Sequence, residues 1–597
     1  MPKARFDGYD LCAGAIILLA TVLRFAMISL GWPASYNDEG TVGLMALHIA
    51  YHGAHPLLYY GQDYMGSLEA YLGALAFHLF GPSTLTLRLG LLLLFAGFLF
   101  WMYRLTILLY SKSLALLTLL VLALGSPEVI FRELMVAGGP PDYFFFTSLL
   151  MLITVWLILT ARPSSSQKQE QASAKRAQRL PWLRLLVYAA WGAVAGLAIW
   201  SHLLCIPFVV GAAILLAIFC RHELRLPALA LLIVCLLIGM SPQIIYKITV
   251  PVSPDENSLF SGSFGGGYRE PSYPPVQGLH RSQATIAPKA IAPVPGQQVA
   301  GTILVSIPVA TNGTAICPVA STDAWPFTSQ TSTYTLVCTG VHGAWGLGFL
   351  VLWGVAAAAA VTGIRRYRKA AASERELSAK DRHEMLREAG RLTLLVCAGL
   401  SVLVFLLYPQ AAGVTPWNSA RYLVGLLLAL PAVLCPLWEM RQAFLSAPRW
   451  PTRCKTGSKY VLLACILLTC LFGTVNIFAT QVTQSRALDR QQQDLIAFLL
   501  HQGDTRVYTG YDDCNRLAFL SNEKIVCAVL DNGFQPGLDR YFPYRAMVAE
   551  VAHPTYAFVE NAPQTVLFEQ KAAQRHVTYQ KFLVAGYVVY EPAQRLT

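Results

Sequence analysis

Charge is scarce in this chain: only 13% of its 597 residues are Asp, Glu, Lys or Arg, against 55% apolar residues. That balance excludes an ordinary soluble globule and a disordered chain, and places most residues in lipid. Positive charge is missing altogether between Trp32 and Ser83. None of the 13 cysteines makes a C-x-x-C spacing, which excludes the common thiolate zinc modules. A cleavable leader is not expected, because the Lys3/Arg5 start runs into an apolar span ending at Gly31 without a small-residue cleavage site. No internal repeat is visible, which argues against an inverted-repeat transporter.

What the chain does contain is eleven apolar segments able to span a bilayer, near 9–31, 84–108, 112–126, 143–161, 183–200, 203–220, 225–248, 343–363, 391–408, 421–440 and 459–479. A further apolar run, 66–80, is short and carries Glu69 and His78. Charge bias in the loops decides its fate. If it stays on the surface and the N-terminus is cytoplasmic, the basic loops 162–182, 364–390 and 441–458 all fall inside. If it crosses, all three face outward. The run is therefore expected to be a juxtamembrane helix in the outer interface.

The formal net charge of +12 then belongs to the inner loops, and nucleic acid is not an expected partner. The outer face receives 32–83, 127–142, the turn at Trp200-Ser201-His202, the long segment 249–342, the connection 409–420 and the region 480–597. Residues 1–479 form the expected membrane domain. Residues 480–597 alternate helix-like and strand-like runs, as expected of a small extracytoplasmic α/β domain. Segment 249–342, rich in Pro, Gly, Ser and Thr, is expected to be a mobile loop or lid. Cys317/Cys338 and Cys514/Cys527 are sequence-local pairs and candidate disulfides if they lie outside the cytoplasm.

The acidic pair Asp38-Glu39 follows the first span in Trp32-Pro-Ala-Ser-Tyr-Asn-Asp-Glu-Gly40 and precedes a helix expected over 40–52. Asp38 could simply cap that helix. Its company favours chemistry: the same face receives Arg132, Glu133 and Asp142, with Arg88 heading the second span, His202 at an outer turn, Lys247 near the end of the seventh span and Arg421 at the tenth. Such a set suits transfer of a group from a lipid-linked phosphate. A partly desolvated carboxylate takes a proton from an acceptor hydroxyl, and cations hold the departing phosphate. Adjacent side chains in an extended segment point apart, so the two acids cannot straddle one bond; Asp38 is the expected base, with Glu39 orienting it.

The N-D-E-G motif after the first span, the run Tyr60-Gly-Gln-Asp-Tyr-Met-Gly-Ser-Leu-Glu-Ala-Tyr71, then Phe80-Gly81 and Arg88, resembles the GT-C superfamily, and within it bacterial family 39-like glycosyltransferases related to protein O-mannosyltransferases and lipid A aminoarabinose transferases. The resemblance covers roughly residues 9–250. It implies a polytopic helical GT-C fold with interfacial helices, and a plasma-membrane location. It also implies a polyprenyl-phosphate sugar donor and inverting transfer to an extracytoplasmic acceptor, with Asp38 catalytic. Arg88, Arg132, Lys247, Arg421, Glu69, Tyr60, Gln62 and Tyr64 become candidate substrate or phosphate contacts, and Asp142 and His202 candidate ligands of a divalent metal such as Mg or Mn. Loop 127–142 departs from the family pattern of an Arg followed closely by an Asp: Glu133 follows Arg132 at once, and Asp142 comes ten residues after Arg132.

Several residues carry alternatives. Arg24, inside the first span, needs a carboxylate or phosphate partner. Glu69 faces either headgroups or the cavity. His202 is either a satisfied interfacial histidine or a ligand. Tyr511-Asp512-Asp513 hints at a sugar-nucleotide site but lacks the surrounding context of one. The rival class for the whole chain is a non-enzymatic transporter or lipid flippase.

Overall fold

The computed structural model describes residues 7–161, 181–249, 296–317, 333–373, 378–408, 416–439 and 452–596. In chain order its helices are α1 Gly8–Ser29, α2 Asn37–His52, α3 Leu68–Phe80, α4 Thr84–Leu109, α5 Lys112–Ala123, α6 Pro127–Leu134, α7 Pro140–Leu159, α8 Trp182–Ser201, α9 Leu203–Phe219, α10 Leu226–Gly239 and α11 Ser241–Thr249. Then come α12 Gln297–Ala310, α13 Leu336–Ala370, α14 Ala379–Leu406, α15 Pro416–Trp438 and α16 Tyr460–Gln502. Eight of these are long and apolar enough to cross a membrane: α1, α4, α7, α8, α13, α14, α15 and α16. Two bent pairs, α5/α6 at 85° and α10/α11 at 58°, bring the count to ten if each is one span. The eleventh expected span, 203–220, is the shorter apolar helix α9. The chain is a multi-pass membrane protein, and α3, at 13 residues, is too short to cross.

Helix ends show why the elements start where they do. Asp7 and Asp10 form a capping box on α1, while Ser83, Ser111 and Ser126 accept from the first turns of α4, α5 and α6. The break between α5 and α6 frees backbone amides that lipid cannot satisfy. Side chains do so instead: Gly125 N donates to Thr474 Oγ1 at 3.1 Å and Ser126 N to Asn312 Oδ1 at 2.8 Å. Arg24, fully buried, pairs with Glu133 of α6 at 2.8 Å and donates to the Ala123 carbonyl at the same break. Its partner is thus a carboxylate of the chain.

After α16 comes a five-stranded sheet, β1 Arg506–Thr509, β2 Val526–Val529, β3 Thr555–Val559, β4 Tyr579–Val584 and β5 Tyr587–Pro592, in the order β2-β1-β3-β5-β4. The β1 pairings with β2 and β3 are parallel; β5 runs antiparallel to both β3 and β4. Helices α17 Tyr511–Leu520, α18 Pro543–Ala549 and α19 Pro563–Gln574 complete a small α/β unit. Both cysteine pairs are bonded, Cys317–Cys338 and Cys514–Cys527. Of the loop or lid expected over 249–342, residues 297–310 and those from 336 onward are helical instead, in α12 and the start of α13, and residues 250–295 and 318–332 lie outside the described residues.

Candidate functional site

The acidic motif lies where the α/β unit meets the membrane helices. Helix α2 begins at Asn37, three residues earlier than expected, so Asp38 and Glu39 both sit in its first turn. The residue before the helix is Tyr36, whose side chain makes no capping bond, and Asp38 is turned elsewhere. Gly40 and Gly43 let α2 approach α17 closely: a Cβ on Gly40 would overlap the Arg516 backbone, and one on Gly43 the Phe519 ring. Polar clips fix the register, with Asn515 N donating to Asn37 Oδ1 and Asn515 Nδ2 to Thr41 Oγ1, each at 2.8 Å. One buried apolar cluster runs from Leu44, Met45, Phe77 and Leu91 into Phe519, Val526 and Tyr544, so the two units share a core.

Glu39 and Asp38 diverge as adjacent residues on a helix must. Glu39 is fully buried and takes the Arg88 guanidinium on both oxygens, each at 2.6 Å. Arg88, expected on phosphate, lies against Glu39 instead. Asp38 keeps a side-chain exposure of 21%. Its Oδ1 accepts from the Tyr511 hydroxyl at 2.8 Å and lies 3.6 Å from Arg540 Nη2. Burial pushes the Tyr511 phenol up to about 12, so it stays protonated and donates. Arg540 Nε in turn donates to the Tyr511 oxygen at 2.9 Å, and its guanidinium lies over the Tyr59 and Tyr511 rings. Gln62, with its amide turned to satisfy both groups, accepts from the two Nη atoms at 2.9 and 2.7 Å. The Tyr59 hydroxyl donates to the Asp38 carbonyl at 3.1 Å.

The α/β unit therefore reaches the carboxylate with two side chains that sequence reasoning did not place there. Tyr511 opens α17 directly after β1, and Arg540 follows β2. The carboxyl ends of neighbouring parallel strands are where open α/β sheets present ligand-contacting loops. A cavity of about 280 Å³ lined by Tyr511, Val529, Asp531, Pro536, Gly537 and Leu538 opens at the same edge.

The other expected residues divide. Arg421, exposed and stacked on Tyr422 at 5.3 Å, is within electrostatic reach of Tyr36, Asp38, Arg132 and His202. Arg132 has a buried Nη1 with no hydrogen-bond partner. The Arg421 charge is felt at Asp38, and Arg132 lies within electrostatic reach of Arg421. Lys247 pairs with Asp63, whose carbonyl also accepts from Gln243. Tyr60 bonds His48 Nδ1 at 2.9 Å and packs on Tyr541. Tyr64 stands edge-on to His202 at 6.4 Å, and burial pushes its phenol up to about 12.

Glu69 points inward, not to headgroups: it accepts from Gly138 N at 2.9 Å and Gly139 N at 3.2 Å, anchoring the loop before α7. Burial raises its carboxyl to about 7 against those bonds. Burial, with the nearby Arg421 charge, lowers the His202 imidazole to about 4, and its Nδ1 accepts from Leu204 N. Asp142 accepts from Ser201 Oγ at 3.2 Å and leaves Oδ1 unpartnered, which a cation would satisfy. Yet among the described residues Asp142 and His202 do not converge with a third ligand. Of the Tyr511-Asp512-Asp513 run, the tyrosine enters the site, while Asp513 accepts from Tyr587 within the α/β unit.

No protein-family model matches the chain, and no curated protein matches it in sequence. Among solved structures, ArnT from Cupriavidus metallidurans bound to undecaprenyl phosphate superposes with a TM-score of 0.52 at 13% identity, covering 98% of each chain. The same protein in the apo state gives 0.39 at 12% identity over 97% of each chain. The archaeal oligosaccharyltransferase AglB from Archaeoglobus fulgidus, in complex with an inhibitory peptide and a dolichol-phosphate, gives 0.39 at 12%, covering 98% of this chain and 74% of that one. The fold assignment rests on the first of these. With its helical membrane unit and small sheet domain docked on one face, the chain has the GT-C fold.

Proposed function

We propose that this chain is a membrane glycosyltransferase that moves a sugar from a polyprenyl-phosphate carrier to an acceptor hydroxyl on the extracytoplasmic side, with inversion. The observation that carries the reading is the Asp38 carboxylate, partly open at the junction of the two units, 3.6 Å from Arg540 Nη2 and within electrostatic reach of Arg421, which in turn neighbours Arg132. The shared fold with a protein captured on undecaprenyl phosphate supports the donor class.

In this reading Asp38 takes the proton of the acceptor O–H as that oxygen bonds to the anomeric carbon. The bond from that carbon to the phosphate oxygen breaks, and its electron pair leaves with the carrier phosphate. Arg421 and Arg132 meet that charge, since a guanidinium offers a planar fork of donors to phosphate oxygens. Tyr511 and Arg540 hold Asp38 in position, and the Glu39–Arg88 pair fixes the helix that carries it. The outward orientation is supported by the two disulfides, which persist in oxidising compartments, and, with α9 taken as an eleventh span, by the basic loops assigned to the inside.

The test is direct. Purified protein in proteoliposomes, supplied with a panel of polyprenyl-phosphate sugars, should release free polyprenyl phosphate from one of them in the presence of an envelope extract. Binding of every carrier with cleavage of none would leave the transporter or flippase class standing and sink the enzyme assignment.

A further inference from the structure

We infer that His48, His52 and Glu523 form a zinc-type divalent metal site that clasps the α/β unit onto α2, separate from the Asp38 centre. One ligating atom from each of the three lies within 4.8 Å of the others. His48 and His52 are four residues apart on α2, so both imidazoles share a face, stacked at 5.4 Å. Glu523 comes across the domain boundary, from the turn between α17 and β2, with its Oε1 at 2.9 Å from His48 Nε2 and its Oε2 at 3.7 Å from His52 Nδ1. Two imidazoles and a carboxylate are a zinc ligand set, and of the divalent first-row ions Zn(II) and Cu(II) bind such donors tightly.

Three features distinguish this group from an incidental ion pair. First, the free nitrogen of the buried ligand is already oriented: His48 Nδ1 bonds the Tyr60 hydroxyl at 2.9 Å, the outer-shell contact that metal-ligating histidines make. Second, the carboxylate is held by Tyr544, whose hydroxyl donates to Oε1 at 2.5 Å. Third, Asn522 and Glu523 both have left-handed backbone, with φ of 51° and 61°. Two consecutive non-glycine residues in that region are costly, and the surrounding structure holds them so that Glu523 faces α2. His52 is exposed, which leaves the fourth position open to water.

Because the ligands come from both units, an ion here binds only when the α/β unit is docked, and so favours the state in which Tyr511 and Arg540 reach Asp38. This inference does not rest on the glycosyltransferase reading. The probe is the metal itself: full-length protein in nanodiscs, stripped with chelator, is titrated with Co(II) and followed by its visible absorption, then with Zn(II) against a chromogenic chelator.

One equivalent with a tetrahedral Co(II) spectrum is expected. Tyr60→Phe should weaken Zn(II) affinity by about 10–100-fold while keeping the stoichiometry. His52→Ala, at an exposed position, and Glu523→Gln should abolish the site, with the fold monitored by unchanged elution and helical content. An absence of stoichiometric binding in the wild type, or binding unchanged in both His52→Ala and Glu523→Gln, would overturn the assignment.

Discussion

Arg540 is the residue whose role is most exposed to test. It touches Gln62, Tyr511 and Asp38 at once, two from the membrane unit and one from its own. Arg540→Gln should lower kcat by about 10²–10³-fold, the range measured when one preorganised electrostatic donor is removed from an active site. Arg540→Lys should recover little, because a lysine cannot form the fork to Gln62 or stack on two tyrosines. A readout of kcat with KM for the carrier separates this positioning role, which should leave KM unchanged, from the phosphate-holding one proposed for Arg421, whose loss should lower kcat and raise KM together. Arg24 and Glu133 make the complementary case of a pair with no part in the chemistry. Removing either charge alone should destabilise the protein by about 3–5 kcal/mol, whereas Arg24→Met with Glu133→Leu should restore most of it, as thermal unfolding in detergent would report.

Glu69 supplies a pH signature. Its carboxyl is raised from 4.5 to about 7 in the folded protein, so between those values the folded state keeps a proton that the unfolded state has lost. Stability should therefore fall as pH rises above about 4.5, and Glu69→Gln should flatten that slope.

At the scale of elements, the decisive contact is α2 against α17. Gly40→Ala pushes a methyl into the Arg516 backbone and should weaken docking by about 1–3 kcal/mol, read as faster proteolysis near Gly503 with the membrane helices intact. Each of the eleven apolar segments has a helix in the structure, because spanning length and hydropathy are local properties. The surface assignment of 66–80 agrees with a helix too short to cross, and the two cysteine pairs were close enough in sequence to suggest themselves.

Asp38 and Glu39 could be singled out from position and missing basic neighbours, but not that Arg88 would be taken by Glu39. That depends on which way a helical turn faces after packing. Tyr511 and Arg540 reach the site through a docking between segments hundreds of residues apart, for which the local sequence holds no signal; the Tyr511-Asp512-Asp513 run drew notice through its acids, and its tyrosine is what arrives.

At the scale of the whole molecule, the chain joins a lipid-embedded unit to a small α/β unit through one shared core, with the carboxylate at the seam. A transporter would place its polar groups at broken helices near the bilayer midplane. Here the α5/α6 break is occupied by structural bonds, and the open acid lies at the junction with the sheet domain. An impermeant thiol reagent should leave Cys454 unlabelled in intact cells while a reporter fused beyond residue 510 is external, as the positive-inside assignment requires.

The central claim is that Asp38 is the base for sugar transfer from a polyprenyl phosphate. The measurement that meets it most directly is carrier-sugar turnover by wild-type protein and by Asp38→Asn, both reconstituted at equal density in proteoliposomes. The account predicts that Asp38→Asn inserts normally, retains carrier binding and loses transfer. Transfer at the wild-type rate in Asp38→Asn would contradict it.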